Sequence, residues 1–255
     1  MTRSTKVKIW IGRIVLLALI LAGWQLVADS SRVARFFVGT PLAVCRVIYD
    51  WFASGEIYHH LAITLIETIL AFVLGTIFAL VIGLWLALSP FWSGVLDPFI
   101  KAVNTMPRLI LAPIFAVWFG LGIWSKVALG ITIVFFIVFF NVYQGVKEVS
   151  PVLLANVRML GATPGQLIRR VYIPSAMTWV FSSLHLAVGM AFVGAVIGEY
   201  LGSAAGVGYL ILQAESTFDI DVVLAGIVVL TIFALVLDTL VTALESSLLG
   251  WRAPS

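Results

Sequence analysis

Glu67, Arg108, Glu199 and Asp238 each stand inside a long apolar stretch of this sequence. An ionised side chain at the centre of a bilayer costs at least ~2.5 kcal/mol, so each invites a role in passing or gating a polar solute. Asn104 and Pro107 precede Arg108. A cation there suits either a solute path or an internal ion pair, with Glu67 as the carboxylate at compatible depth, and Asn104 is placed to bond a broken helix end. Glu199 opens "EYLGSAAGVGYL". Its alternatives are a carboxylate lining an opening, one contacting a partner protein, and an interfacial carboxylate facing water, and the turn after it is either gate-forming or a plain connection. Glu67, Asn104, Arg108 and Glu199 are therefore the candidate residues of a translocation path. Asp238 is expected to partner a loop arginine, and His185 to be a hydrogen-bonded packing residue. Covalent chemistry has no visible apparatus. The sequence holds no Gly-x4-Gly-Lys-Ser/Thr phosphate loop. Its single Cys45 excludes a disulfide framework, and His59, His60 and His185 form no convincing metal set.

A second group of polar residues lies between apolar runs, in "PVLLANVRMLGATPGQLIRRVYIP", residues 151–174. Pro151 is suited to open a helix. The run Leu153, Leu154, Ala155, Asn156, Val157, Arg158, Met159, Leu160 then continues it, with Leu153, Val157 and Leu160 on one side. Gly161 tolerates the left-handed conformation that ends a helix. After Ala162, Thr163 caps a second helix with Pro164 as its first residue, and Gln166 completes a capping box. Leu167 continues that helix. Arg169 and Arg170 fall in its last turn, where cations suit the helix dipole, and Pro174 punctuates the approach to the next apolar run. The segment is too polar to span a membrane and too structured to be a linker.

The elements around these residues are set by composition. Of 255 residues, 62% are hydrophobic and 11% charged, against about 25% charged in soluble domains. The class is all-α and polytopic. About 20 apolar residues cross the hydrocarbon layer, and six candidate spans follow: residues 9–28, 61–88, 98–119, 122–143, 179–201 and 222–245. The first is read as retained rather than as a cleaved signal, because its apolar part is long and no cleavage site follows. The third, with Pro107, Arg108 and Pro113, is expected to be bent or broken. "FGLGIWS" should join spans three and four as an antiparallel hairpin.

Arg3, Lys6, Lys8 and Arg13 place the N-terminus inside, and six spans return the C-terminus there. Lys147, Arg158, Arg169 and Arg170 put the central segment on the same side. Glu215, Asp219 and Asp221 lie in an outer loop without basic residues. In the first outer loop, Pro41 to Phe52 reads as a helix with Val44, Val47, Ile48 and Trp51 on one face, lying along the interface or packed on the protein. Small residues recur every four positions at Ala71, Gly75, Ala79, Gly83 and Ala87, and again at Ala187, Ala191 and Ala195. Such faces let helix backbones approach closely in lipid, in the bundle interior or at a dimer seam.

The central segment resembles the cytoplasmic loop of ABC import permeases, whose pattern is Glu-Ala-Ala, three residues, Gly, nine residues, then Ile-x-Leu-Pro. Gly161 and Pro174 match its spacing, and Val171 and Ile173 take the apolar positions. Ala155, Asn156 and Val157 replace Glu-Ala-Ala. "FVGTPLAV", "LDPFIKAVNTMPRLILAPIFAVWFGLG", "LGATPGQLIRRVYIPSA", "IGEYLGSAAGVGYLI" and "FDIDVVLAGIVVL" are together similar to permeases of the nitrate/sulfonate/taurine group, over about residues 38 to 250.

The resemblance implies the type I importer permease fold. Residues 1–60 would supply an N-terminal transmembrane helix and an outer amphipathic segment. Residues 61–250 would supply a core of five transmembrane helices, with a cytoplasmic coupling loop at 144–178. It implies two permease copies, two separate ABC ATPase subunits carrying ATP and Mg, and a periplasmic or lipid-anchored binding protein. No cofactor is expected on this chain, and no partner other than these and membrane lipid, nucleic acid included. The location implied is the bacterial inner membrane. Leu153 to Leu167 is the lever expected to meet the ATPase, with Arg158, Arg169 and Arg170 as contacts or simply as inside-positive charges. Arg108 would lie on the path of a small anion; a pyrimidine vitamin precursor or an aromatic compound is the alternative cargo. A self-contained secondary transporter or channel is the rival from another class, and a membrane anchor without a path is a second.

Overall fold

The computed structural model describes residues 3–248. The C-terminal end, expected inside, lies outside the described residues, as do the side chains of Arg3 and Lys6. Among the described residues every regular element is helical. In chain order these are α1 (Arg3–Asp29), α2 (Arg32–Val38), α3 (Pro41–Ser54), α4 (Glu56–Leu88), α5 (Pro90–Thr105), a 3-10 turn (Arg108–Ile110) and α6 (Leu111–Phe119). There follow α7 (Ile123–Lys147), α8 (Pro151–Met159), α9 (Pro164–Leu167), a π turn (Ile168–Tyr172), α10 (Ile173–Leu201), α11 (Val207–Ser216) and α12 (Ile220–Leu248). Five helices are long and apolar enough to cross a membrane, or up to seven if the bent pairs α2–α3 and α5–α6 each count as a span. The chain forms two compact units, one from the chain up to His59 with Leu210–Thr231, the other from His60–Tyr209 with the chain from Ile232 onward.

In the first unit α1 is exposed along almost its whole length, as suits an apolar helix whose solvent is lipid. Its Trp24 donates Nε1–H to the carbonyl of Val38 at 3.1 Å. Ser31 caps α2, and Thr40 caps α3 with Pro41 in its first turn. Between these helices Gly39 has φ 65°, and a Cβ there would press on the Asp221 carboxylate. That carboxylate accepts the Thr40 N–H at 2.9 Å. Of the expected apolar face on α3, Val44 and Trp51 are buried. That face therefore packs on the protein.

The second unit holds the main core. Ala71, Ala79 and Ala87 of α4 are buried, and the glycines between them face α7. A Cβ on Gly75 would lie 2.9 Å from Val134, and one on Gly83 3.0 Å from Val142. On α10, Ala187, Ala191 and Ala195 are fully buried, and a Cβ at Gly194 would meet the backbone of Gly130 at 2.9 Å. The small-residue faces thus line the interior of this unit, where backbones of α4 and α10 close on α7.

Residues 98–119 do not form one span. Met106 adopts extended dihedrals (ψ 133°), as a residue before proline tends to, and the chain bends by 78° between α5 and the following helices. Gly120 with φ 75° ends α6, and α6 folds back on α7.

Candidate functional site

Three polar places in the second unit hold the sequence-predicted residues. The first is the segment joining α7 to α10. No residue of α8 is buried. Leu153, Met159 and Leu160 expose apolar side chains, Leu160 to 87%. Gly161 has φ 82°. Thr163 forms the full capping box with Gln166, whose Oε1 accepts the Thr163 N–H at 2.8 Å. Leu167 alone among residues 151–170 is buried, anchoring the turn to the unit.

Arg169 and Arg170 do not close a separate helix. They sit in the π turn that leads from α9 directly into α10, with the Ile173 N–H bonded to the Ile168 carbonyl. The physical cause is Pro174, which has no N–H and whose ring would crowd the carbonyl four residues back; a single widened turn relieves that crowding without ending the helix. Thr163, Gly165, Gln166, Arg169 and Arg170 line an open polar recess of about 560 Å³.

The second place is the break after α5. Arg108 donates from Nη2 to Oδ1 and the carbonyl of Asn104, at 2.5 and 3.2 Å. Its guanidinium lies 4.9 Å from the centre of the Phe136 ring, an arrangement favourable to a cation. Asn104 thus ties the end of α5 to the residue after the break. The Arg108 Nε–H is buried without an acceptor among the described residues.

The third place is where α4 and α10 meet the start of α11. Glu199 is fully buried rather than facing water. It accepts the hydroxyl proton of Thr64 at 2.6 Å and the N–H of Gly208 at 2.8 Å. Thr64 Oγ1 in turn accepts the N–H of Val207, and His60 Nδ1 accepts that of Gly206. Three successive N–H groups at the opening of α11 are thus met by side chains, as a helix N-terminus requires. A Cβ on Gly206 would overlap the Glu199 carboxyl, so the backbone passes there only as glycine.

Glu67 lies beside Glu199 and Lys126, so the expected pairing of Glu67 with Arg108 does not form. Lys126 is 1% exposed. Its ammonium bonds the carbonyls of Leu121 and Gly122, in the turn after α6. The cluster therefore sets one cation against two carboxyl groups. Glu67 Oε2 is buried without a hydrogen-bond partner among the described residues. Asp238 pairs with His185 rather than with a loop arginine, Nε2 to Oδ1 at 2.7 Å.

Lys126, Thr64 and His60 escaped the sequence reading. A signal existed for Lys126, a lone cation in the opening turn of an apolar helix, where the rule applied to Arg108 holds equally. Thr64 and His60 carry no comparable mark.

The model of the binding-protein-dependent transport system inner membrane component family matches residues 75–250. The putative aliphatic sulfonates transport permease protein SsuC of Bacillus subtilis is 32% identical, over 95% of this chain and 88% of that protein. The taurine transport system permease protein TauC of Escherichia coli is 30% identical, over 92% and 88%. The formylaminopyrimidine transport permease protein ThiX of Halalkalibacterium halodurans is 32% identical, over 87% and 90%. Among solved structures, a chain of the MetNI methionine ABC transporter superposes with a TM-score of 0.59 at 18% identity, over 77% of this chain and 96% of that one. With an all-helical fold like that of an importer subunit and an exposed helical protrusion, the chain belongs to the binding-protein-dependent transport system inner membrane component family and is an ABC importer permease.

Proposed function

We propose that two copies of this chain form the path of an importer in the bacterial inner membrane, with both termini and residues 144–178 on the cytoplasmic side. Two separate ATPase subunits, which carry ATP and Mg, dock on Leu153–Leu167. A binding protein on the opposite face delivers the solute. This chain supplies the path and the lever, and hydrolysis belongs to its partners.

The observation that carries the reading is the protrusion itself. Leu153 and Met159 on a helix of nine residues, and Leu160 at its C-cap, are exposed, and the helix is far short of the ~20 residues needed to cross a bilayer. An apolar tip of this kind, flanked by Arg158, suits a cleft on a soluble partner. The cargo follows from Arg108 at the broken span and from the names of the relatives: a small anion of the sulfonate or taurine type. The similarity to ThiX supports a second reading, a formylaminopyrimidine-type cargo.

The test is uptake into proteoliposomes holding the permease, its ATPase and its binding protein. Arg158→Glu, or an insertion between Leu153 and Leu167, should abolish ATP-linked uptake while membrane insertion survives. Uptake unaffected by both changes, or rapid flux through the chain without an ATPase, refutes the reading. Competition by taurine against formylaminopyrimidine separates the two cargoes.

A further inference from the structure

We infer that Glu67 and Glu199 bind one proton between them, seated on Glu67, and that this proton neutralises the buried corner where α4, α10 and the opening of α11 meet.

Glu67, Glu199 and Lys126 are 1%, 0% and 1% exposed. With both carboxyl groups ionised, the three would leave one negative charge uncompensated and shut away from water. A group so placed is neutralised rather than left charged. The cation acting on both carboxyl groups is Lys126 of α7, and the other polar groups around the corner add no second one. On α4, Thr64 is uncharged, and His60 accepts the Gly206 N–H at Nδ1, so that nitrogen carries no proton and the ring is neutral. From α11, Tyr209 stacks on that ring. Arg108 is held elsewhere, by Asn104 at the break after α5.

Hydrogen bonding identifies the missing charge and its seat. The two carboxyl groups are hydrogen-bonded to each other. An ionised carboxylate only accepts, so one of the two must be the protonated donor. Glu199 already meets two donors, the Thr64 hydroxyl and the Gly208 N–H, and donors favour the ionised form. Glu67 Oε2 meets none among the described residues, and a bare buried oxygen suits a neutral acid better than an anion. A metal cation would need more ligands than this pair: among the described residues no three His, Cys, Asp or Glu side chains are grouped to hold one. Lys126 bonds the carbonyls of Leu121 and Gly122, so the neutral cluster also fastens the turn after α6. Water reaching the corner would let the proton leave and set two carboxylates against one ammonium.

The test uses the full chain in lipid nanodiscs at neutral pH. Infrared difference spectroscopy reads the carbonyl stretch of a protonated carboxylic acid, on the high-frequency side of the amide I band. That band should be present in the wild type, vanish in Glu67→Gln and persist in Glu148→Gln, which alters an exposed carboxylate. Glu67→Gln keeps the shape of the neutral acid and a donor, so its melting temperature should match the wild type. Identical spectra for the wild type and a folded Glu67→Gln chain overturn the proposal. So does a Glu67→Gln chain that melts far lower or does not fold, because the amide differs from the acid chiefly in being unable to ionise. A wild type that lacks the band and gains melting temperature with added sodium assigns the missing charge to a metal ion, and overturns it as well.

Discussion

The Glu199 carboxylate accepts the N–H of Gly208 at 2.8 Å, across a turn that begins just after α10 ends. With Thr64 on its other oxygen, Glu199 ties α4, α10 and the opening of α11 into one corner. Removing the carboxyl leaves Lys126 with one carboxyl beside it, and leaves a hydroxyl and an N–H without their acceptor. Glu199→Ala leaves both groups unsatisfied and is expected to cost about 1–3 kcal/mol for each. Glu199→Gln keeps an acceptor and should cost about 1–3 kcal/mol. Thermal unfolding in detergent, followed by tryptophan fluorescence, checks the order. Equal melting temperatures for the two variants would contradict it.

Gly75 and Gly83 let α4 lie against Val134 and Val142. Gly75→Leu and Gly83→Leu should each destabilise by about 1–3 kcal/mol through overpacking. Gly94→Ala makes a control, because a Cβ there meets nothing within 4 Å. It should leave the melting temperature unchanged or raise it.

The capping box at Thr163 fixes the turn of the protrusion. Thr163→Ala is expected to cost about 1 kcal/mol locally, read as faster amide exchange over residues 165–170 with little change in global melting. Thr163→Ser retains the acceptor and should restore slow exchange. Loss of protection at α4 and α7 as well would show that the turn is not an independent unit.

Arg108 serves as a test of the path. If the anion passes it, Arg108→Ala should raise the KM for ATP-linked uptake by about tenfold, the equivalent of ~1.4 kcal/mol. Asn104→Ala, which removes the Oδ1 acceptor, should raise it less. An unchanged KM with a lowered melting temperature would confine Arg108 to holding the break after α5.

How much of this is legible in the sequence depends on the range of each interaction. The α4 stripe, the broken third span and the Thr163 cap rest on periodicity, on the residue before Pro107 and on a three-residue spacing, all of which a linear sequence displays. Of the alternatives for Glu199, the water-facing one does not hold, because its partners Thr64 and Gly208 are brought to it by helix packing, which a linear sequence does not display. The same holds for Asp238, whose partner His185 lies on another helix. The π turn was missed for a different reason. In the sequence Pro174 reads as punctuation, although a helix can continue past proline if one turn widens.

That widened turn has a geometric consequence. From Pro164 to Leu201 the backbone is one unbroken rod, but an extra residue is spent in its first third. An α-helix advances about 100° per residue, so side chains above and below Ile168–Tyr172 are out of phase by that angle. Deleting one residue there would leave a straight helix and swing the Thr163–Gln166 tip to a different bearing relative to Ala187, Ala191 and Ala195. The bearing of the tip is thus set by one surplus residue rather than by the tip itself.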